Sequence, residues 1–232
     1  MVDATQHLPA AEPETDRKAG QGREANRGLD RDRARELSRL IDRPIVLVGL
    51  MGAGKSCIGK RLASHLGLPF VDADREIEAA AGGCSIPDIF ALHGEQAFRD
   101  GERRVIQRLL GNPVHVLATG GGAFVDPITR ASVKERGLSI WIRADLDLLL
   151  KRVSRRNNRP LLQNVDPRAK LAELIELRHP FYAEADIIVD SADGPPEVTL
   201  GRVMEALRQY LTAEDAVSET GTPSGSQPGA QS

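Results

Sequence analysis

Cysteine is nearly missing from this 232-residue chain. The two present, Cys57 and Cys84, form no CxxC, and the five histidines form no HExxH. A disulfide scaffold, a zinc finger and a zinc protease are therefore excluded, and a reducing cytoplasm is the expected compartment. Aromatic residues make up only 3% of the chain. Charge of one sign is also missing: 31 Lys and Arg stand against 33 Asp and Glu, a net of −2. Domains that coat nucleic acid are usually strongly basic, so no nucleic-acid partner is expected. No run approaches the roughly 18 uninterrupted apolar residues of a membrane span. Met1 to Gly20 lacks the apolar centre of a secretory signal.

What remains is 41% hydrophobic and long enough to bury a core without disulfides or a structural metal. Residues 1–42 read as a polar extension, with Pro9, Pro13 and the stretch Gly20 to Gly28 suited to disorder. Within it, Ala34, Leu37, Leu40 and Ile41 recur at helical spacing, which predicts a short amphipathic helix docked on the domain. Residues 213–232 are rich in Ser, Gly, Thr and Pro and are expected to form a flexible tail. The domain proper is 43–212.

Apolar runs alternate there with amphipathic stretches. Ile45 to Val48, Phe70-Val71, Val114 to Ala118, Leu138 to Ile142 and Ile187 to Val189 read as five strands. Between and after them, 56–66, 86–110, 127–135, 146–153, 167–183 and 195–211 carry helical patterns. Such alternation predicts an α/β fold: a parallel sheet with helices on both faces. Ligands of such sheets bind beyond the carboxyl ends of the strands.

After the first strand comes Gly49-Leu-Met-Gly-Ala-Gly-Lys-Ser56, a G-x-x-x-x-G-K-S phosphate loop between a buried strand and a helix. Gly49, Gly52 and Gly54 permit a turn whose backbone N–H groups point inward, and these groups with the helix start hold phosphate oxygens. Lys55 would neutralise β- and γ-phosphates, and Ser56 Oγ would ligate Mg²⁺. A dinucleotide-type G-x-G-x-x-G is excluded, because Cys57 stands where its third glycine is needed. After the second strand, Asp72-Ala-Asp74 either binds Mg²⁺ and takes a hydroxyl proton or caps the helix that follows. After the third, Thr119-Gly-Gly-Gly122 is either a flexible turn or a backbone that must approach a ligand closely. Thr119 stands where motor NTPases carry an acid, which favours small-metabolite or nucleotide kinases. Lys151, Arg152, Arg155, Arg156 and Arg159 form a basic run without an acid, either a solvated face or a lid closing over triphosphate. Pattern alone says nothing special of Arg99 or Arg178.

Taken together, these pieces are similar to the shikimate kinase family. The phosphate loop, Asp72-x-Asp74, Gly94-Glu-Gln-Ala-Phe-Arg99, Thr119-Gly-Gly-Gly122, Arg159-Pro-Leu-Leu162 and Arg178-x-x-x-Tyr182 occur in the family's order and near its spacing, over about Arg43 to Leu211. The resemblance implies a three-layer α/β/α P-loop domain with a five-stranded parallel sheet, a lid and substrate-binding helices. It implies transfer of the ATP γ-phosphoryl to the 3-hydroxyl of shikimate, with Mg²⁺, by a cytoplasmic monomer. Gly49, Gly52, Ala53, Gly54, Lys55, Ser56 and Cys57, with Arg152 against adenine and Arg159 from the lid, would contact ATP. Ser56 and Asp72 would hold the metal. Asp74 would act as base or orienter at the acceptor oxygen, assisted by Lys55 and Arg159. Arg99 and Arg178 would grip the shikimate carboxylate, and N–H groups of Gly120, Gly121 and Gly122 would add donors. Cys57, where many members carry threonine, reads as a small packed residue. The alternatives are another small-metabolite kinase of the same fold, gluconate-kinase-like, and a nucleotide-binding module without turnover.

Overall fold

A computed structural model of the chain describes residues 34–154 and 165–220. Five parallel strands, β1 (Ile45–Val48), β2 (Phe70–Asp72), β3 (Val116–Ala118), β4 (Leu138–Arg143) and β5 (Ile187–Asp190), form one sheet in the order β2-β3-β1-β4-β5. The central strand β1 is apolar at every position and wholly buried, because it has neighbours on both edges and helices on both faces. Ile45 pairs with Val116 on one side and Leu138 on the other. The edge strand β5 alternates instead, and its Ile188 is 43% exposed.

The helices are α1 (34–40), α2 (Lys55–Leu66), α3 (Ala73–Ala80), α4 (Ile86–Leu110), α5 (Pro127–Arg136), α6 (Leu146–Val153), α7 (Pro167–Tyr182) and α8 (Pro196–Thr220). Their starts are written in local chemistry. Asp72, Asp126, Asp145 and Asp166 each accept a backbone N–H at the N-cap of α3, α5, α6 and α7. Pro127 and Pro167 occupy the first turn, where the missing donor costs nothing. None of the described helices is long and apolar enough to cross a membrane.

Two features differ from the sequence-based expectation. The stretch 86–110 is two helical pieces joined at Gly94, whose φ of 78° and ψ of 172° break the helix. The helix α8 does not stop at 212 but runs to Thr220, so 213–220 are helical rather than a loose tail. Arg43, just before β1, donates to both carboxylate oxygens of Glu214 at 2.8 and 3.0 Å and so anchors that extra turn. By contrast, the short helix at the end of the polar extension docks on the domain as its spacing predicts: Ala34, Leu37 and Ile41 are buried, and Leu37 and Ile41 belong to the same core as Leu207 and Leu211 of α8.

Asp126 links α4, α5 and the loop after β3. It takes two hydrogen bonds from Arg103, at 3.2 and 2.9 Å, and one from the N–H of Thr129 at 2.8 Å. The Arg103 bond first, then the Thr129 bond, hold its carboxyl down at about 2 from the usual 3.8, against the opposing effect of burial. A folded-state value below the unfolded one stabilises the protein above about pH 4, and this contribution is lost as pH falls towards 2. Asp126→Asn should lower stability at pH 7 by up to about 1 kcal/mol, since solvent screens the Arg103 pair and asparagine can still cap α5, and should flatten the decline between about pH 4 and 2. Urea unfolding at several pH values measures this; an unchanged acid slope would assign the dependence to other carboxylates.

Candidate functional site

A cleft of about 370 Å³ lies at the carboxyl ends of β1, β2 and β3. Its floor is the turn after β1. Gly49, Gly52 and Gly54 there adopt φ values of 131°, 83° and 108°, which side chains resist. Gly49 also lacks room: an added Cβ would lie 2.6 Å from the Ile142 carbonyl oxygen and 3.1 Å from Trp141 Cδ1. Gly54 caps α2, and Lys55 is its first residue, 9% exposed. The Lys55 ammonium donates to the carbonyls of Gly49 at 2.7 Å and Leu50 at 3.0 Å, which hold it within the loop. Ala53 and Cys57 line the cleft with the rest of the loop, and the Cys57 sulfur accepts a bond from Arg61 at 3.1 Å.

The acidic pair divides its duties. Asp72 caps α3 by accepting the Asp74 N–H at 3.2 Å, and its other oxygen accepts from Ser56 Oγ at 3.0 Å. The capping reading holds for Asp72, whose second oxygen faces Ser56, while Asp74, in the first turn of α3, lines the cleft. Two hard oxygen donors facing the phosphate loop suit Mg²⁺, which usually takes one or two protein oxygens and completes its shell with phosphates and water. No group of three or more His, Cys, Asp or Glu that could hold a metal occurs among the described residues, so no all-protein cage competes with this pair.

The other wall begins at Thr119, whose buried hydroxyl donates to the Leu47 carbonyl at 2.9 Å. The glycines that follow are not a loose turn. A Cβ on Gly120 would lie 2.9 Å from Asp74 Oδ1 and 3.0 Å from Glu102 Oε1. One on Gly121 would lie 3.4 Å from the Met51 nitrogen and 3.6 Å from Arg178 Nη1. One on Gly122 would lie 2.6 Å from Arg99 Nη1. Asp74, Arg99, Arg178 and the phosphate loop thus converge on one tripeptide. Arg99 and Arg178 do not line the 370 Å³ cleft itself; they adjoin it through Gly121 and Gly122. No hydrogen bond among the described residues uses the N–H of Gly120, Gly121 or Gly122.

Each arginine is braced. Arg99 donates to Glu102 at 2.6 Å and Glu95 at 3.3 Å. Burial opposes its charge, but the two carboxylates outweigh that and hold its pKa above normal. Glu102 is 3% exposed, and burial pushes its carboxyl up, with Arg99 pulling the other way and Asp74 and Asp126 adding to the rise. Arg178 donates to the Gly121 carbonyl at 2.9 Å, and the Tyr182 hydroxyl donates to the same oxygen. Arg130 of α5 donates to the carbonyls of Phe124 and Val125, both at 3.0 Å, directly after the triplet. At the far end of the cleft, Arg152 donates to the Ala53 carbonyl at 3.0 Å, Ser191 Oγ at 2.9 Å and the Ala192 carbonyl at 2.8 Å. It clamps the phosphate loop to the loop after β5, where Ser191, Gly194, Pro196 and Thr199 complete the cleft wall. Arg155, Arg156 and Arg159 lie outside the described residues.

Sequence reasoning assigned no role to Glu102, Tyr182 or Ser191, although Tyr182 stands in one of the motifs that carry the resemblance. Glu102 left a signal. It lies on the buried stripe of Phe98, Val105 and Leu109, where a carboxylate without a partner would be costly. Ser191 left none.

A model of the shikimate kinase family matches residues 51–209. The shikimate kinase of Paramagnetospirillum magneticum is 61% identical over 196 residues, 82% of this chain and 100% of that one. The solved structure of shikimate kinase from Acinetobacter baumannii in complex with shikimate superposes with a TM-score of 0.62 at 36% identity, covering 78% of this chain and 95% of the other. A gluconokinase from Sinorhizobium meliloti 1021 reaches a TM-score of 0.51 at 18% identity, over 77% of this chain and 98% of its own, which is a likeness of fold alone.

Proposed function

Because this chain belongs to the shikimate kinase family and moves the γ-phosphoryl of ATP onto the 3-hydroxyl of shikimate, we propose that its cleft residues divide that reaction as follows. The phosphate loop, Gly49 to Cys57, holds the ATP phosphates on inward N–H groups and the start of α2. Lys55 exchanges its carbonyl partners for phosphate oxygens. Arg152 lies beside the adenine end, and Arg159 reaches the phosphates. Ser56 and Asp72 would hold Mg²⁺, which when bound would neutralise charge on the phosphates.

Arg99 and Arg178 take the shikimate carboxylate, whose planar oxygens match a guanidinium fork. Gly120, Gly121 and Gly122 offer their N–H groups to the same ligand. Asp74 orients the 3-hydroxyl and receives its proton as that oxygen bonds to the γ-phosphorus and the bond to the bridging oxygen of ADP breaks. The product, 3-phosphoshikimate, feeds chorismate and aromatic amino-acid synthesis. Catalysis is then positioning plus charge stabilisation.

The observation that carries this reading is the convergence of Asp74, Arg99 and Arg178 on residues 120–122. The site can be built from the residues of one chain, with shikimate as its small-molecule partner, which is in keeping with the monomer that the resemblance implies. Cys57 and Cys84 are free thiols, in keeping with a cytoplasmic location. A coupled ADP-release assay should show turnover with shikimate and none with gluconate or a nucleoside monophosphate. Turnover of gluconate without shikimate would transfer the reading to the other kinase, and nucleotide binding without any turnover would reduce it to a binding module.

Gly122→Ala tests the cradle directly. Gly122 has φ −103° and ψ −16°, which alanine adopts without strain, so the backbone should hold. The new methyl must displace the Arg99 guanidinium. The shikimate KM should rise by on the order of ten- to a hundred-fold, with little change for ATP. An unchanged shikimate KM would detach Arg99 from the substrate.

A further inference from the structure

The Gly121 carbonyl receives two donors from one face of α7: Arg178 Nη1 and, one turn later, the Tyr182 hydroxyl. Tyr182 is fully buried, and its ring lies 5.8 Å from that of Trp141, which in turn meets Gly49 of the phosphate loop. Its hydroxyl is the one polar atom on an otherwise packed aromatic body, and it is aimed at the substrate cradle. Burial pushes this phenol up to about 12, so it remains a donor across the working range of pH.

Two consequences follow from peptide geometry. In a trans peptide the C=O of one residue and the N–H of the next point in opposite directions. Whatever anchors the Gly121 oxygen therefore also sets the direction of the Gly122 N–H. A guanidinium has five N–H groups, and a two-pronged grip on a carboxylate dictates the plane of all of them. Once Arg178 turns to a carboxylate, its bond to Gly121 is no longer assured. The tyrosine is not so constrained.

We propose that Tyr182 is a positioning residue for shikimate binding: its hydroxyl holds the Gly121 peptide in place so that Arg178 is released to the carboxylate and the Gly122 N–H keeps its direction. The inference rests on Arg178 as a shikimate ligand, and its test separates the two.

Tyr182→Phe removes the hydroxyl and keeps the ring. In the full chain the shikimate KM, and the shikimate Kd by calorimetry, should rise roughly ten-fold, the loss expected when one hydrogen-bond partner is removed. The ATP KM and kcat should stay within about two-fold. In an Arg178→Ala background the same change should have a smaller but still measurable effect, because the release of Arg178 no longer counts while the direction of the Gly122 N–H still depends on the hydroxyl. Equal effects in both backgrounds, an unchanged shikimate KM, or matching losses for ATP and shikimate with a lowered Tm would overturn the proposal. A variant that does not fold would overturn it too, by making the hydroxyl part of the core. If Arg178→Ala alone leaves shikimate binding intact, the Arg178 assignment fails; if it weakens binding and Tyr182→Phe does not, only the Tyr182 assignment fails.

Discussion

Asp74→Asn is expected to lower kcat by roughly 10²–10⁴-fold while ATP binding stays near normal. The side chain keeps its size but loses the charge that the proposed role in accepting the hydroxyl proton requires. The reason to expect a folded variant is local. The helix α3 is capped by Asp72, whose oxygen accepts the Asp74 backbone N–H, a bond that asparagine retains. What α3 loses is one carboxylate in its first turn, worth about 0.3–1 kcal/mol against the helix dipole. The phosphate loop is built on a different strand and helix, so the ATP Kd should barely move. Calorimetric ATP binding beside single-turnover kinetics separates the two effects. Collapse of the thermal transition would make Asp74 structural, and an undiminished kcat would remove it from the chemistry.

The second large effect is on binding. Arg178→Ala should raise the shikimate KM by an amount equivalent to about 2–5 kcal/mol, the range for truncating one side of a buried charged pair. That corresponds to roughly 30-fold to several thousand-fold. The Gly121 carbonyl keeps Tyr182 as a donor in this variant, so the fold should hold. Arg178→Lys should rescue only part of the loss, because an ammonium supplies charge without the two-pronged fork. Arg99 presents a contrast. It is clamped by Glu102 and Glu95, so its removal also leaves Glu102 buried without a partner and should cost stability as well as affinity. An unchanged shikimate KM in Arg178→Ala would remove Arg178 from the substrate site.

Much of the fold was legible along the chain. Ile45–Val48 and Leu146–Val153 begin and end where the sequence patterns place them. The strand is an unbroken apolar run, and the helix starts at an aspartate whose side chain caps it. The misread places are those governed by distant contacts or by a single backbone angle. The helical pattern of 86–110 continues through Gly94, and nothing in its neighbours announces the positive φ there. Residues 213–220 begin a stretch with a tail's composition, yet they are helical beside Arg43, which is 171 residues away from Glu214.

The site shows the same division. The phosphate loop is contiguous, and its chemistry lies in its own backbone, so local sequence sufficed to find it. Asp72 and Asp74 were visible, but their separate duties required the positions of Ser56 and Gly120. Arg99, Glu102, Arg178 and Tyr182 sit on two helices that are far apart in sequence. Each alone reads as an ordinary surface or core residue. Sequence by itself determined the strand order of chemistry: a phosphate cradle first, then an acid, then a glycine turn. Only the tertiary structure decided that α4 and α7 direct two guanidinium groups, a carboxylate and a phenol at the same three glycines. Convergence of this kind depends on how helices pack across a sheet, and packing is a property of surfaces that meet in space, which no local pattern encodes.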